Sequence, residues 1–169
     1  MTARRALISL VTTALTVSAL ALAGAPAQAA GATNIRIWGS SHCLDSDVNN
    51  AARLQMWSCD SGSDEKWLTE YWGSGQYRFI NQRTGRCITA PSGLAPEGSI
   101  TLSPCDPVVS TRAAQLWHAH ATKPGDPAVA MWQSAESGLC MTTPSVGNHT
   151  VPKTLGCDAS DRYDWWEQR

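Results

Sequence analysis

The chain has 169 residues, of which 16% are charged, and its formal net charge is -1. No cluster of Lys and Arg follows residue 30, so the chain lacks the basic surface on which binding to nucleic-acid phosphates depends. Its 13 Gly and 9 Pro leave no long stretch free of helix breakers, which disfavours a helical bundle. The chain contains eight Trp but one Phe, and it contains six Cys. The Trp and the Cys are therefore the residue types most informative about its fold.

The first segment of the chain, residues 1–29, has the three parts of a secretory signal peptide. Two arginines stand near its start, an apolar run covers residues 6–23, and residues 27–29 form a small-x-small cleavage site. The apolar run is near the lower length limit for a membrane span, but no stop-transfer charges follow it. We therefore expect a domain at residues 30–169 that is secreted, extracellular and not inserted into a membrane.

The residues after this leader, enough for one domain, contain three similar segments that align on their cysteines. Each starts with a Cys, reaches a second Cys followed by Asp 16 to 18 residues later, and ends near a Trp. The starts are Cys43-Leu44-Asp45, Cys87-Ile88-Thr89 and Cys140-Met141-Thr142, the later pairs are Cys59-Asp60, Cys105-Asp106 and Cys157-Asp158, and the Trp are Trp67, Trp117 and Trp165. We place the three repeats at about residues 34–76, 77–127 and 128–169.

Short strands are predicted throughout the repeats. Apolar runs rich in β-branched or aromatic residues precede each first Cys, at residues 35–38, 77–80 and 128–132. Residues 53–57 form a further strand, which puts Leu54 and Met56 on one face and Gln55 and Trp57 on the other. Three units of about four strands can close on one another and cover their edges, so we predict an all-β barrel with pseudo-threefold symmetry.

The six cysteines are predicted to form three disulfides, because an even number of cysteines in an exported chain indicates an oxidising compartment. The repeat favours one bond within each unit: Cys43 with Cys59, Cys87 with Cys105, and Cys140 with Cys157. Each bond would close a loop of the chain and stabilise the folded state by about 3 kcal/mol. The alternatives are an unpaired thiol or a zinc site, and the absence of a Cys-x-x-Cys pair disfavours zinc.

With these features the chain resembles the ricin B-type lectin family, a family of carbohydrate-binding β-trefoil domains. The resemblance covers residues 34–169. It is carried by Cys43-Leu44-Asp45, by Gln55-Met56-Trp57-Ser58-Cys59, and by the family's Gln-x-Trp motif, which is intact at Gln115-Leu116-Trp117 and altered at Glu65-Lys66-Trp67 and Tyr163-Asp164-Trp165. It implies a β-trefoil with three pseudo-equivalent repeats, in which Trp67, Trp117 and Trp165 pack in the core. Trp38 and Trp132 are expected in the barrel wall or its bottom layer.

The resemblance also implies where a sugar would bind. An aromatic ring covers the C–H face of the sugar, and a carboxylate and amides hold its hydroxyls. The first repeat keeps Asp45, Gln55 and Trp57 at the family's positions, with Asp64 and Glu65 in place of an Asn-Gln pair. The other repeats lack the Asp and the aromatic, having Thr89 and Ser103 in the second, and Thr142 and Leu155 in the third. We therefore predict one working site, formed by Asp45, Gln55, Trp57, Asp64 and Glu65.

The expected function is that of a secreted, non-catalytic, lectin-like protein, which needs no cofactor or metal. By resemblance, its partner would be a galactose-like or xylan-like glycan or polysaccharide. An enzyme that uses Asp45 and Glu65 as acid and base is disfavoured, because no known catalytic motif is present. Calcium binding by the acids of the first repeat is disfavoured too, because their spacing matches no calcium loop.

A third possibility is a protein-interaction scaffold, such as a secreted inhibitor or a toxin-delivery subunit, without a working sugar site. Such a scaffold would have a protein partner. An inhibitor would need an extended exposed loop, and the turn-rich segment from Lys123 to Ala128 is the candidate for it.

Overall fold

A computed structural model describes residues 31–91, 98–107 and 113–169 of the chain, and the predicted leader lies outside these residues. The described residues form strands and short 3₁₀ turns, with no helix long and apolar enough to cross a membrane among them. The strands are β1 (Thr33–Ile37), β2 (His42–Ser46), β3 (Leu54–Ser58), β4 (Lys66–Gly73), β5 (Gln76–Asn81), β6 (Arg86–Thr89), β7 (Gly98–Ser99), β8 (Thr101–Pro104), β9 (Trp117–Lys123), β10 (Asp126–Ser134), β11 (Cys140–Thr142), β12 (Lys153–Leu155) and β13 (Trp166–Gln168). Three equivalent 3₁₀ turns lie at Ser63–Glu65, Ala113–Gln115 and Arg162–Asp164.

Six of these strands close into an antiparallel barrel. β1 pairs with β4, β4 with β5, β5 with β9, β9 with β10, and β10 with β13, which returns to β1. Strand β1 also bonds to the last residue of the chain, since Asn34 N–H donates to the Arg169 carbonyl at 2.8 Å and Arg169 N–H donates to the Asn34 carbonyl at 3.1 Å. The barrel therefore has no free edge, as the repeat pattern predicted.

Three hairpins, β2–β3, β6–β8 and β11–β12, extend from the barrel strands. Each hairpin bonds to the loop of the preceding one. Leu102 N–H donates to the Ala52 carbonyl at 2.9 Å, Thr154 pairs with Gly98, and Met56 N–H donates to the Thr150 carbonyl at 2.7 Å. This cyclic arrangement completes the predicted β-trefoil and places a loop of one repeat beside the hairpin of the next.

Three tryptophans, one in each repeat, make the same core contact. The indole N–H donates to a carbonyl just after the first Cys of its repeat: Trp67 to Leu44 at 3.0 Å, Trp117 to Ile88 at 3.3 Å, and Trp166 to Met141 at 2.8 Å. The third residue of this set is thus Trp166. Trp165 is buried as expected, but it packs in a second cluster with Val129, Met131 and Cys140 and does not make this contact. The buried acceptor Asp164 precedes Trp166 by two positions, as Gln115 precedes Trp117, so the third motif starts one residue later than we predicted.

The two tryptophans that were predicted in the barrel wall, Trp38 and Trp132, differ in burial. Trp132 is buried, with ring centroids 4.8 Å from Phe79 and 5.6 Å from Tyr77, as expected for the barrel layer. Trp38 is 39% exposed, so its predicted place in the wall is wrong. It follows the last strand residue of β1 and lies outside the barrel, where the Lys123 ammonium stands 3.8 Å from its ring centroid.

The disulfide prediction is confirmed: Cys43 bonds to Cys59, Cys87 to Cys105, and Cys140 to Cys157, with no free cysteine in the described residues. The segment from Lys123 to Ala128, by contrast, is no extended loop. Lys123 pairs with Asp126 in the tight turn between β9 and β10. The segment therefore lacks the extended form that an inhibitory loop requires.

Candidate functional site

The site is built on the β2–β3 hairpin of the first repeat. Its register places Cys43 opposite Trp57 and Asp45 opposite Gln55. Leu54 and Met56 enter the core, as the alternation predicted, so Gln55 and Trp57 face away from it. The Cys43–Cys59 bond ties the two strands together at the end that carries Trp57. The hairpin thus presents an acid, an amide and an indole on one side.

A cavity of about 410 Å³ opens beside this hairpin. Four of the five predicted sugar-binding residues line it: Asp45, Gln55, Trp57 and Asp64. The remaining lining residues are Asp47, Val48, Asn49, Arg53, Asp60 and His149. Four carboxylates and one guanidinium therefore surround a space large enough for a sugar ring, with Trp57 as one wall.

Asp45 and Gln55 form the polar base of this cavity, and both are only 4% exposed. The Gln55 amide donates to Asp45 Oδ1 at 2.7 Å, which fixes the carboxylate and the orientation of the amide. Burial raises the pKa of Asp45, while the bond from Gln55 opposes that rise. The nearby Asp64 and Asp47 raise the pKa of Asp45 further, while the charge of Arg83 lowers it.

Glu65, the fifth predicted residue, lies behind the cavity and is 1% exposed. Its Oε2 accepts hydrogen bonds from Asp60 N–H at 2.7 Å and from the Asn34 amide at 3.3 Å. Its Oε1 is buried without a hydrogen-bond partner, and burial raises the pKa of Glu65 to about 7. The structure therefore separates Glu65 from the other four residues and places it among the groups that hold the loop after Cys59.

The residues equivalent to Glu65 in the other two repeats, Gln115 and Asp164, show the role of this position. Gln115 Oε1 accepts from Asp106 N–H at 2.9 Å, and Asp164 Oδ2 accepts from Asp158 N–H at 2.8 Å. The Gln115 amide also donates to the Thr89 hydroxyl at 3.2 Å and to the Pro104 carbonyl at 3.0 Å. In each repeat this acceptor anchors the residue after the second Cys, which is an architectural task.

His149 lines the cavity but belongs to the third repeat, and the sequence did not reveal it. Its ring meets Trp57 edge to face with centroids 4.6 Å apart, and its Nδ1 lies 3.2 Å from Gln55 Oε1. Its backbone N–H donates to the Met56 carbonyl at 3.0 Å. A comparison of aligned repeats could not find it, because it reaches the first repeat through the contact between neighbouring hairpins.

The corresponding positions of the other repeats carry no aromatic ring. In the second repeat, Thr89 faces Thr101 and Cys87 faces Ser103. In the third repeat, Thr142 faces Lys153 and Cys140 faces Leu155. The register therefore puts a hydroxyl or an aliphatic side chain where the first repeat has Trp57. Within the described residues, no group of three or more His, Cys, Asp or Glu is placed to hold a metal ion.

A family model for the ricin-type beta-trefoil lectin domain matches residues 31–166. No curated protein matches the chain. Among solved structures, the designed threefold-symmetric protein ThreeFoil superposes with a TM-score of 0.71 at 13% identity, covering 82% of this chain and 98% of that one.

Two natural proteins are also similar in structure. The ricin B-like lectin of Macrolepiota procera, solved in complex with lactose, has a TM-score of 0.67 at 10% identity and covers 81% of this chain and 93% of its own. A chain of the cytolethal distending toxin from Actinobacillus actinomycetemcomitans has a TM-score of 0.63 at 21% identity, with coverages of 84% and 92%. At these identities the likeness establishes the fold alone.

Proposed function

The chain belongs to the ricin-type beta-trefoil lectin domain family, and from that membership we propose that it is a secreted, non-catalytic carbohydrate-binding protein with one working sugar site. The site is the cavity of the first repeat. The main support is that one cavity is lined by the indole of Trp57 and by the buried carboxylate and amide of Asp45 and Gln55.

This combination suits a sugar because a pyranose has two chemically different sides. The apolar C–H face of the sugar is stabilised by packing on an aromatic ring. The hydroxyls at the edge of the sugar donate hydrogen bonds to a fixed carboxylate. Trp57 is half-buried, so part of its ring remains available. The Asp45 carboxylate is preorganised by Gln55, which reduces the ordering cost of binding.

We propose galactose-containing glycans as the ligand class, with lactose as the first probe. The support is the family together with the lactose complex of the Macrolepiota procera lectin. Xylose-based polysaccharides are the second class to examine. The three disulfides support the secreted location, because such bonds persist in oxidising compartments.

Binding without catalysis is favoured by the placement of the acids. Glycoside cleavage needs two carboxyl groups that flank the scissile bond. Glu65, one of the two acids considered for that role, does not line the cavity, and Asp45 is held by Gln55 at its base. The sugar would therefore meet the Asp45 carboxylate as a hydrogen-bond acceptor.

A glycan array that carries galactose- and xylose-based ligands tests the proposal. The wild type should bind galactosides, and Trp57→Ala should lose that binding while its circular dichroism stays unchanged. Trp38→Ala is the matched control, because it removes an exposed indole outside the cavity. Undiminished binding by Trp57→Ala would refute the site, and an array without wild-type hits would favour the protein-interaction scaffold.

A further inference from the structure

The first repeat does not complete its cavity alone, because a loop of the third repeat lies along strand β3. Met56 N–H donates to the Thr150 carbonyl at 2.7 Å, and His149 N–H donates to the Met56 carbonyl at 3.0 Å. Asn148 Oδ1 accepts from Ser58 N–H at 2.9 Å and from its hydroxyl at 3.2 Å. These bonds fix the loop against the site strand on both sides of His149.

The backbone of His149 has a φ of 66°, in the left-handed region that non-glycine residues seldom adopt. The flanking bonds of Asn148 and Thr150 hold it there, and Arg53 donates to the His149 carbonyl at 3.1 Å. Such a conformation costs energy and persists only where the surroundings fix it. It turns the imidazole against Trp57 and Gln55.

The hydrogen bonds also determine which nitrogen of His149 carries the proton. The Gln55 amide nitrogen donates to Asp45, so its Oε1 is the atom that meets the imidazole. An amide oxygen only accepts, and therefore His149 Nδ1 must donate. In the neutral ring, Nε2 then carries a lone pair, and the ring lines the cavity.

We infer that the third repeat completes the sugar site of the first: His149 determines specificity by accepting a hydrogen bond from a ligand hydroxyl at Nε2. The inference rests on the proposed function. The chain of contacts from Asp45 through Gln55 to His149 orients both acceptors together. The equivalent junction between the first and second repeats, where Leu102 bonds to Ala52, has Ala51 at the position of His149 and offers no such acceptor.

The first measurement needs no ligand. Nitrogen-15 NMR of the free protein, recorded at a pH where the ring is neutral, should show the His149 ring protonated at Nδ1 and not at Nε2. Gln55→Leu removes the acceptor and should release the ring into a mixture of tautomers. A wild-type ring protonated at Nε2, or a tautomer unaffected by Gln55→Leu, would overturn the inference.

The second measurement is lactose affinity. His149→Gly removes the ring while glycine accepts the positive φ, so the loop should keep its path and affinity should fall about 5- to 20-fold. His120→Ala removes an exposed histidine on β9, outside the cavity, and should bind as the wild type does. Each monodeoxy lactoside lacks one hydroxyl. The one that lacks the hydroxyl bound by Nε2 should bind the wild type and His149→Gly with equal affinity, because neither complex can then form that hydrogen bond.

The two proposals fail in different ways. Wild-type affinity in His149→Gly, with lactose binding intact, would overturn the role of His149 and leave the proposed function standing. A wild type that binds neither lactose nor any array glycan would overturn both. If removing each hydroxyl of lactose lowers the affinity of the wild type and of His149→Gly by the same factor, the ring of His149 only supports Trp57, and its role as an acceptor is overturned.

Discussion

The first and second repeats share a scaffold and differ in chemistry. Both have a disulfide-linked hairpin, a core Trp bonded to the carbonyl after the first Cys, and an acceptor that anchors the residue after the second Cys. The first adds Asp45, Gln55 and Trp57, where the second has Thr89, Thr101 and Ser103. The second repeat therefore keeps the residues that hold the fold but lacks the residues of the proposed sugar site.

The two disulfides provide the largest test of this comparison. Replacing Cys87 and Cys105 by Ala should lower the free energy of unfolding by about 2–4 kcal/mol, because the unfolded chain regains the freedom of the open loop. Lactose affinity should be unchanged, since the proposed sugar site takes no group from the second repeat. Urea denaturation and calorimetric titration measure the two quantities.

The same change at Cys43 and Cys59 should cost similar stability and weaken lactose binding as well. Trp57 is the register partner of Cys43, so opening this bond frees the strand end that holds the ring. Equal affinity losses in the two double variants would contradict the assignment of the site to the first repeat.

Glu65 and Gln115 give a smaller, pH-dependent test. The pKa of Glu65 rises from 4.5 to about 7 on folding because the carboxyl is buried. The folded state therefore retains a proton that the unfolded state loses, and this contribution to stability is complete below pH 4.5 and is lost as the pH rises through 7. Glu65→Gln should be more stable than the wild type by about 1–3 kcal/mol at pH 8 and nearly equal to it at pH 4.5.

The reciprocal variant, Gln115→Glu, should lose stability at pH 8, because it introduces a buried acid where an amide donates to Thr89 and Pro104. Urea denaturation at the two pH values measures both variants. A stability difference for Glu65→Gln that is the same at pH 4.5 and pH 8 would show that Glu65 does not titrate between them.

Much of the fold could be predicted because its signals recur within the sequence. Three Cys pairs in register indicated the repeat, the disulfides and the barrel. The exception is the position of the third motif, because two adjacent and buried Trp could complete it. Only the indole bond of Trp166 to the Met141 carbonyl and the acceptor Asp164 identify Trp166.

The candidate site was less predictable. Asp45, Gln55 and Trp57 lie on one hairpin, so strand alternation and register suffice to bring them together. Glu65 was assigned to the ligand although its position serves the loop, a distinction that only burial and partners reveal. His149 depends on the packing of one repeat against another, which no alignment of repeats contains.

Calorimetric titration of lactose into the wild type and into Asp45→Thr tests whether the chain has a single sugar site in its first repeat. Asp45→Thr gives the first repeat the residue that the folded second repeat carries as Thr89. We expect one site per chain in the wild type and no measurable binding to a folded Asp45→Thr. Two or three sites per chain, or undiminished binding by Asp45→Thr, would contradict it.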